Sequence, residues 1–385
     1  MTAFTRPLIL HQLRTLAFGA GCASQCAADL IERRKRSVFV VTAPPIVKLG
    51  EPLFADLRRG GCEVTVWPHA GQEPGIRDFE AALADAREVR ADAIVGLGGG
   101  SAMDVAKLVA AFLDGSQDLR DAFGVGRLRG RAMHLVCLPT TAGTGSEASP
   151  IAILLDETDQ LKKGVVSPHL VPDAAYVDPL LTVSMPPAVT AATGIDAFTH
   201  CLEAYANRFA HPVVDHYAIE GIRLISRNLV RAVENGTDIE ARTRVALGSL
   251  YGGMCLGPVN TAAIHALSYP LGGEFHIAHG VANALLMPHV LAFNLPAAPA
   301  RYAEVAVALG VERGRDDLET AQRGLELIRE LARRCGLPSR LGEFGIGESA
   351  IERMASAAMT VQRLLERNPR TVTEQDARDI YRAAL

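Results

Sequence analysis

Between residues 37 and 138 the chain alternates short apolar runs with helical periodicity, and this alternation leaves it few folds to adopt. Ser37 to Thr42 (S-V-F-V-V-T) is a β-branched apolar run, the pattern of a strand buried on both faces. Helix-like Ile46 to Arg59 follows, then strand-like Cys62 to Trp67, a helix over Asp78 to Arg90, and a third buried strand over Asp92 to Leu97. Strands joined through helices pair in parallel, because the crossover returns the chain to the same end. The β-α-β-α-β order therefore predicts a parallel sheet covered by helices. Pro7 to Phe18 reads as a leading strand or hairpin, Ala23 to Lys35 as a helix, and Arg131 to Leu138, Ile151 to Leu155 and Ala174 to Asp178 as further strands. Asp114 to Gly130 reads as a long polar connection.

Near residue 180 the texture changes. Pro186-Pro187 marks a break, and beyond it the periodicity is almost wholly helical: Ala188–Asn207, Val214–Glu234, Ile239–Gly253, Thr261–Tyr269, Gly280–Phe293, Pro299–Leu309, Leu318–Cys335, Ile351–Glu366 and Glu374–Leu385. The expected architecture is an α/β domain over residues 1–182 followed by an all-helical domain over 183–385.

Two loops of the first domain carry chemistry. The strand over Asp92 to Leu97 runs into Gly98-Gly99-Gly100-Ser101, and a helix follows. Glycines let the backbone approach a phosphate closely, and the helix N-terminus offers N–H groups and a positive dipole end. The pattern is neither G-x-G-x-x-G nor a Walker loop, so it is a phosphate site by mechanism and not by fingerprint; a tight turn is the alternative. The strand ending at Leu138 enters Pro139-Thr140-Thr141-Ala142-Gly143-Thr144-Gly145-Ser146-Glu147, rich in small residues and hydroxyls. Two such loops, each ending a strand, point to a dinucleotide site and a Rossmann-like domain. Lys162 can reach a cofactor ribose or stand solvated.

The second domain offers a metal site. Asp196 and His200 are four apart, which on a helix puts both on one face. Such pairs are common on surfaces, but Ile195, Ala197, Phe198, Cys201 and Leu202 around them are apolar, and a buried Asp needs a partner. His265 and His279 would stand roughly 21 Å apart on one straight helix. Pro270-Leu271-Gly272-Gly273 between them is expected to break it, so that the chain folds back and brings both to the Asp196/His200 face. One carboxylate and three imidazoles suit Fe2+ or Zn2+. His276 competes with His279 for its place, and His289 falls on another face.

Composition excludes other classes. A net charge of −4 gives no basic footprint for nucleic acid. No apolar run reaches the eighteen or more residues of a membrane span, and the N-terminus lacks the apolar core of a signal peptide, so no membrane partner is expected. Seven scattered cysteines, an odd number, fit reduced thiols in the cytoplasm better than a disulfide framework.

The motifs G-G-G-S-A-M-D-V-A-K (98–107), P-T-T-A-G-T-G-S-E (139–147), G-I-D-A-F-T-H (194–200) and H-A-L-S-Y-P-L-G-G-E-F-H-I-A-H-G-V-A-N-A (265–284) together resemble the iron-containing alcohol dehydrogenase family, in family order and over nearly the whole chain. The resemblance implies an active site between a dinucleotide-binding domain and a helical one. It implies NAD(P)-dependent interconversion of an alcohol and an aldehyde or ketone. It places the metal ligands on Asp196, His200, His265 and His279, and the cofactor contacts on Gly98, Gly99, Gly100, Ser101, Asp104, Thr140, Thr141, Thr144 and Lys162. It further implies a homodimer or larger assembly. Dehydroquinate synthase-like cyclising lyases share the two-domain plan and are the alternative.

This chain departs from the family pattern in three places. The first cofactor strand ends Val41-Thr42-Ala43 where many members carry Asp, so NAD is expected with NADP weakly discriminated against. Tyr269 stands where many carry a histidine, and is expected as a wall of the substrate pocket, with a proton-transfer role for it or for His276 as the alternative. Leu256-Gly257-Pro258 replaces a bulkier segment, which points to a substrate larger than ethanol.

Overall fold

The computed structural model describes residues 5–71, 73–158 and 161–385. They form two compact units: Leu10–Met185, and Pro186–Leu385 joined by residues 5–9. The N-terminal segment thus leaves the α/β unit to which the sequence reading assigned it, because Arg6 donates to the backbone carbonyls of Phe209 and Ala210.

The α/β unit holds strands β1 (Thr15–Phe18), β2 (Ser37–Thr42), β3 (Glu63–Trp67), β4 (Ala93–Gly98), β5 (Gly124–Val125), β6 (His134–Pro139), β7 (Ile151–Asp156), β8 (Leu161–Val166) and β9 (Ala174–Val177). Its helices are α1 (Gln25–Glu32), α2 (Val47–Arg59), α3 (Ile76–Glu88), α4 (Gly100–Phe112) and α5 (Leu119–Ala122). Six parallel strands form one sheet in the order β1-β9-β6-β4-β2-β3. Side chains alternate across it with period two, as the pleat demands. Phe39, Val41, Ile94 and Leu135 pack with Phe79 of α3 and Met103 of α4 on one face. Val38, Val40, Val95 and Val136 pack with Leu30 of α1 and Phe54 of α2 on the other. Each such burial stabilises by about 1.5–3 kcal/mol, so both faces hold their helices.

The strand order sets the ligand position. The connection from β2 leads outward to β3, whereas that from β4 leads to β6 on the opposite side. In open parallel sheets ligands bind at the carboxyl ends of strands where the winding reverses in this way. Here Thr42 pairs with Leu97 and Gly98 with Pro139, so the β2 end, the glycine loop and the threonine loop lie side by side.

A second small sheet departs from expectation. β7 pairs antiparallel with β8, and β5 runs parallel to β8. The stretch around Lys162, to which the sequence reading assigned no element, is thus a strand, whose apolar pattern Lys162, Lys163 and Gly164 interrupt. The polar connection after Asp114 contains α5 and β5.

The helical unit contains α6 (Pro187–Tyr205), α7 (Pro212–Glu234), α8 (Ile239–Leu256), α9 (Ala263–Phe275), α10 (His279–Asn294), α11 (Pro299–Ala308), α12 (Asp317–Arg334), α13 (Glu348–Met359), α14 (Gln362–Leu365) and α15 (Glu374–Ala383). The helix expected over Ile351–Glu366 is two, α13 and α14, parted where Thr360 Oγ1 bonds back to the Ala357 carbonyl. Glycines let α6 and α8 approach closely: a Cβ on Gly252 would stand 3.1 Å from His200 Cβ. His279–Ala297 is long and apolar enough to cross a membrane by length and composition, against the sequence expectation, but 61% of that window is buried inside the protein.

The break between His265 and His279 exists, but not at Pro270. Helix α9 runs through Pro270 and ends where His276 turns left-handed at φ 54°. A proline removes one helical hydrogen bond, and the surrounding buried positions Leu267 and Leu271 hold the helix together across it. The end is an αL cap: His276 N–H bonds to the Gly272 carbonyl at 3.1 Å, and Ile277 N–H reaches back to the Leu271 carbonyl at 3.2 Å.

Candidate metal centre and cofactor loops

The helical unit gathers one carboxylate and three imidazoles. α6 carries Asp196 and His200 one turn apart, α9 carries His265, and α10 opens with His279. Asp196, His200 and His265 are buried, while His279 keeps a side-chain exposure of 32%. From Asp196 Oδ1 the Nε2 atoms of His265, His279 and His200 lie at 3.5, 3.5 and 3.7 Å. The donor atoms of Asp196, His265 and His279 all fall within 4.8 Å of one another. The His200 ring stacks on that of His265 at 4.8 Å.

These spacings fit a bound divalent ion. Two tetrahedral donors at about 2.1 Å from one ion stand about 3.4 Å apart. The charges fit as well. Burial alone would raise the Asp196 pKa, but His200, His279 and His265 hold it well below the carboxylate range. Burial would lower that of His265, but its bonds to Asp196 and Glu203 hold it up at about 10. The two carboxylates around His265 thus create a strong demand for positive charge, which a metal ion also meets.

Two residues that the sequence reading passed over complete this centre. Glu203 Oε2 pairs with His265 Nδ1 at 2.6 Å, and its Oε1 accepts the Ile264 N–H at 2.6 Å. One buried carboxylate therefore fixes the N-terminus of α9 and leaves His265 Nε2 as the donor toward the site. Asn283 is fully buried, and its Nδ2 donates to Asp196 Oδ1 at 2.8 Å. The available signal was spacing: Asn283 follows His279 by four, as His200 follows Asp196.

Tyr269 faces this cluster. Its ring centre is 6.1 Å from that of His279, and its hydroxyl accepts from Arg363 at 3.3 Å. His276 is exposed on the cap of α9 and is not in the donor group. Leu256 is buried at the end of α8, and Gly257 after it is exposed.

In the α/β unit the two candidate loops meet. The Thr140 N–H donates to the Gly98 carbonyl at 2.9 Å. A Cβ on Gly100 would lie 2.6 Å from Thr144 Cγ2, and one on Gly99 3.3 Å from Thr141 Cγ2. The glycines are therefore what lets the loops close together, with Ser101 in the first turn of α4. This cradle suits a pyrophosphate.

Asp104 has another partner. Its carboxylate accepts from Ser146 Oγ at 2.6 Å and from the Ile153 N–H at 2.9 Å, pinning the second loop to α4. Lys107, also missed, is fully buried and donates to the Ser149 and Ile151 carbonyls at 2.9 Å each. Burial pushes the Glu147 carboxyl up to about 7, against its own backbone N–H and Lys107. Lys162 pairs with Glu73 at 2.5 Å.

Residues 14–179 match the family model of iron-containing alcohol dehydrogenases, and residues 190–385 that of the C-terminal part of the Fe-containing alcohol dehydrogenase family. The chain is 41% identical over 372 residues to long-chain-alcohol dehydrogenase 1 of Geobacillus thermodenitrificans (strain NG80-2), covering 95% of this chain and 94% of that protein. It is 32% identical to the NAD-dependent methanol dehydrogenase of Bacillus methanolicus, covering 95% and 97%. Among solved structures, a 1,3-propanediol oxidoreductase superposes with a TM-score of 0.95 at 33% identity, covering 99% of this chain and all of that one. The chain belongs to the iron-containing alcohol dehydrogenase family and is an oxidoreductase acting on alcohols and aldehydes.

Proposed function

We propose that the protein interconverts an alcohol and its aldehyde or ketone with NAD(H), at a metal held by Asp196, His200, His265 and His279. The observation that carries this reading is the convergence of those four side chains from three helices. When bound, the ion supplies Lewis acidity toward the substrate oxygen. Asp196 brings the negative charge that a dication requires. Glu203 holds the Nδ1–H of His265, so that its Nε2 lone pair faces the ion. The glycine loop and the start of α4 hold the cofactor pyrophosphate, Thr140, Thr141 and Thr144 supply hydroxyls beside it, and the nicotinamide carries the hydride.

The finer assignments rest on particular residues. β2 ends in Thr42-Ala43, with no carboxylate to accept from the ribose 2′-OH, so NAD is used with a preference over NADP within about tenfold. Fe2+ is the ion by family, and Zn2+ suits the same donors. The substrate is larger than ethanol, with Tyr269 as a wall of its pocket; the long-chain relative supports this, whereas Leu256 and Gly257 have no observed part in that pocket. Seven buried thiols fit the cytoplasm, and a homodimer or larger assembly follows from family habit.

An anaerobic, Fe2+-loaded screen of alcohols, diols and aldehydes, read at NAD(P)H absorbance, tests the proposal. Net NADH formation with an alcohol is expected, and its loss in Asp196→Ala. Substrate consumption without net cofactor change would instead indicate the cyclising-lyase alternative.

A further inference from the structure

We infer that Arg363 gives the substrate pocket an anion-binding end, so that the alcohol oxidised carries a carboxylate at its far terminus, as an ω-hydroxy acid does; this names the substrate class of the dehydrogenase reading above and rests on it. Arg363 sits on α14 and is half-buried. Its guanidinium donates to the Tyr269 hydroxyl at 3.3 Å. The Tyr269 ring centre lies 6.1 Å from that of His279. The guanidinium therefore stands one phenol and one hydrogen bond beyond a metal-binding imidazole, on the wall assigned to the substrate.

Its charge has no counterpart in the protein. The arginines of the neighbouring helices meet carboxylates: Arg353 on α13 pairs with Glu274, and on α15 Arg378 pairs with Glu352 and Glu374, and Arg382 with Glu348 and Asp379. Among the described residues Arg363 forms no such pair, and the phenol it touches is neutral. The charge beside it has the same sign. Arg367 donates to the Arg363 and Val259 carbonyls and Arg6 to those of Phe209 and Ala210, again with no carboxylate partner among the described residues. Burial and the charges of Arg363 and Arg6 all press the Arg367 guanidinium below its ordinary value, and only Glu366 opposes them.

On an open surface such an arginine would be a solvated charge. Its place on the phenol that faces His279 directs it to the substrate instead. A guanidinium fork matches a carboxylate. The Tyr269 oxygen accepts from Arg363 and keeps its own proton to donate, so phenol and guanidinium can hold one carboxylate together. The chemistry at the other end is unchanged: the carbinol carbon gives a hydride to NAD, the hydroxyl gives up a proton, and an aldehyde acid is left. Several methylenes must separate the two ends, because the phenol stands between imidazole and guanidinium.

Matched substrates separate charge from size. On the Fe2+-loaded enzyme with NAD, γ-hydroxybutyrate is compared with n-butanol and ω-hydroxyhexanoate with n-hexanol, as the ratio of kcat/KM for acid over alcohol. Effects of a substitution on folding, metal or hydride transfer act on both members and cancel in the ratio. The wild type should prefer the acid in at least one pair, and less so as salt rises. Arg363→Met, which keeps the aliphatic stem, should lower that ratio about tenfold or more, mainly through KM of the acid. Arg363→Glu should reverse the preference. Calorimetric titration of the Fe2+- and NADH-loaded enzyme, which cannot turn the acid over, reads affinity without catalysis: ω-hydroxyhexanoate should bind Arg363→Met about tenfold or more weakly. A wild type that prefers the alcohol in both pairs, or a ratio and affinity unchanged in Arg363→Met, would overturn the inference. No turnover of any of the four compounds with Fe2+ and NAD bound would overturn the dehydrogenase reading beneath it instead.

Discussion

Gly280→Ala tests how the helical unit places His279. Gly280 follows His279 in the first turn of α10, where the helix crosses α6. A Cβ there would stand 1.9 Å from the Ala192 carbonyl oxygen and 2.5 Å from its carbon. Both are backbone atoms, so no rotamer change relieves the overlap. Restoring ordinary contact at 3.4 Å moves α10 off α6 by about 1.5 Å. Metal–ligand distances tolerate about 0.2 Å, so His279 leaves the donor set while Asp196, on α6, stays behind. Overpacking of this kind costs about 1–3 kcal/mol, which in a unit of this size lowers the melting temperature by about 2–12 °C. Gly130→Ala is the control: it has nothing within 4 Å, no left-handed φ and no place in a helix or its cap, so its effect stays within about 0.5 kcal/mol. Thermal melting and metal content measure both. A Gly280→Ala protein with wild-type melting and a full complement of metal would refute the reasoning.

Three further outcomes follow. Glu203→Gln leaves the fold in place but frees the His265 ring, and metal affinity in chelator competition should fall about 10–100-fold; unchanged affinity would deny Glu203 its orienting role. Asp173 is held below the carboxylate range because His134, Arg131 and the Leu135 N–H outweigh its burial. A folded pKa below the unfolded value of about 3.9 stabilises fully above that value, and the stabilisation is lost as pH falls beneath it. Asp173→Asn should therefore cost about 1–3 kcal/mol at pH 7, and in denaturant titrations the gap to wild type should narrow below about pH 4; a gap independent of pH would count against it. Tyr269→Phe should change kcat little, since the phenol binds Arg363 and walls the site; a loss beyond about a hundredfold with metal and NAD still bound would make Tyr269 a proton-transfer residue.

What the sequence made legible was local. Asp196 and His200 could be paired because helical spacing alone puts them on one face, and β2, β4 and β6 could be read because buried parallel strands are continuous apolar runs. His265 and His279 needed a turn between them; its existence could be inferred, but its position could not. Pro270 suggested it, whereas packing carried the helix on to His276, a residue with no sequence mark of a left-handed cap. Residues that act through distant partners stayed hidden. Glu203 meets a histidine 62 positions on, and Lys162 meets Glu73 across 89 positions through a strand whose Lys-Lys-Gly centre conceals it. Asp104, expected as a cofactor contact, also accepts from Ser146 Oγ and the Ile153 N–H, partners 42 and 49 positions away that spacing does not reveal.

The most direct test of the central claim is an anaerobic titration of metal-stripped protein with Fe2+, following NADH formation from a primary alcohol or diol. The account predicts activity that rises linearly and saturates at one Fe2+ per chain, and none at any Fe2+ concentration in His265→Ala. Activity that is full before iron is added, or that saturates equally in His265→Ala, would contradict it.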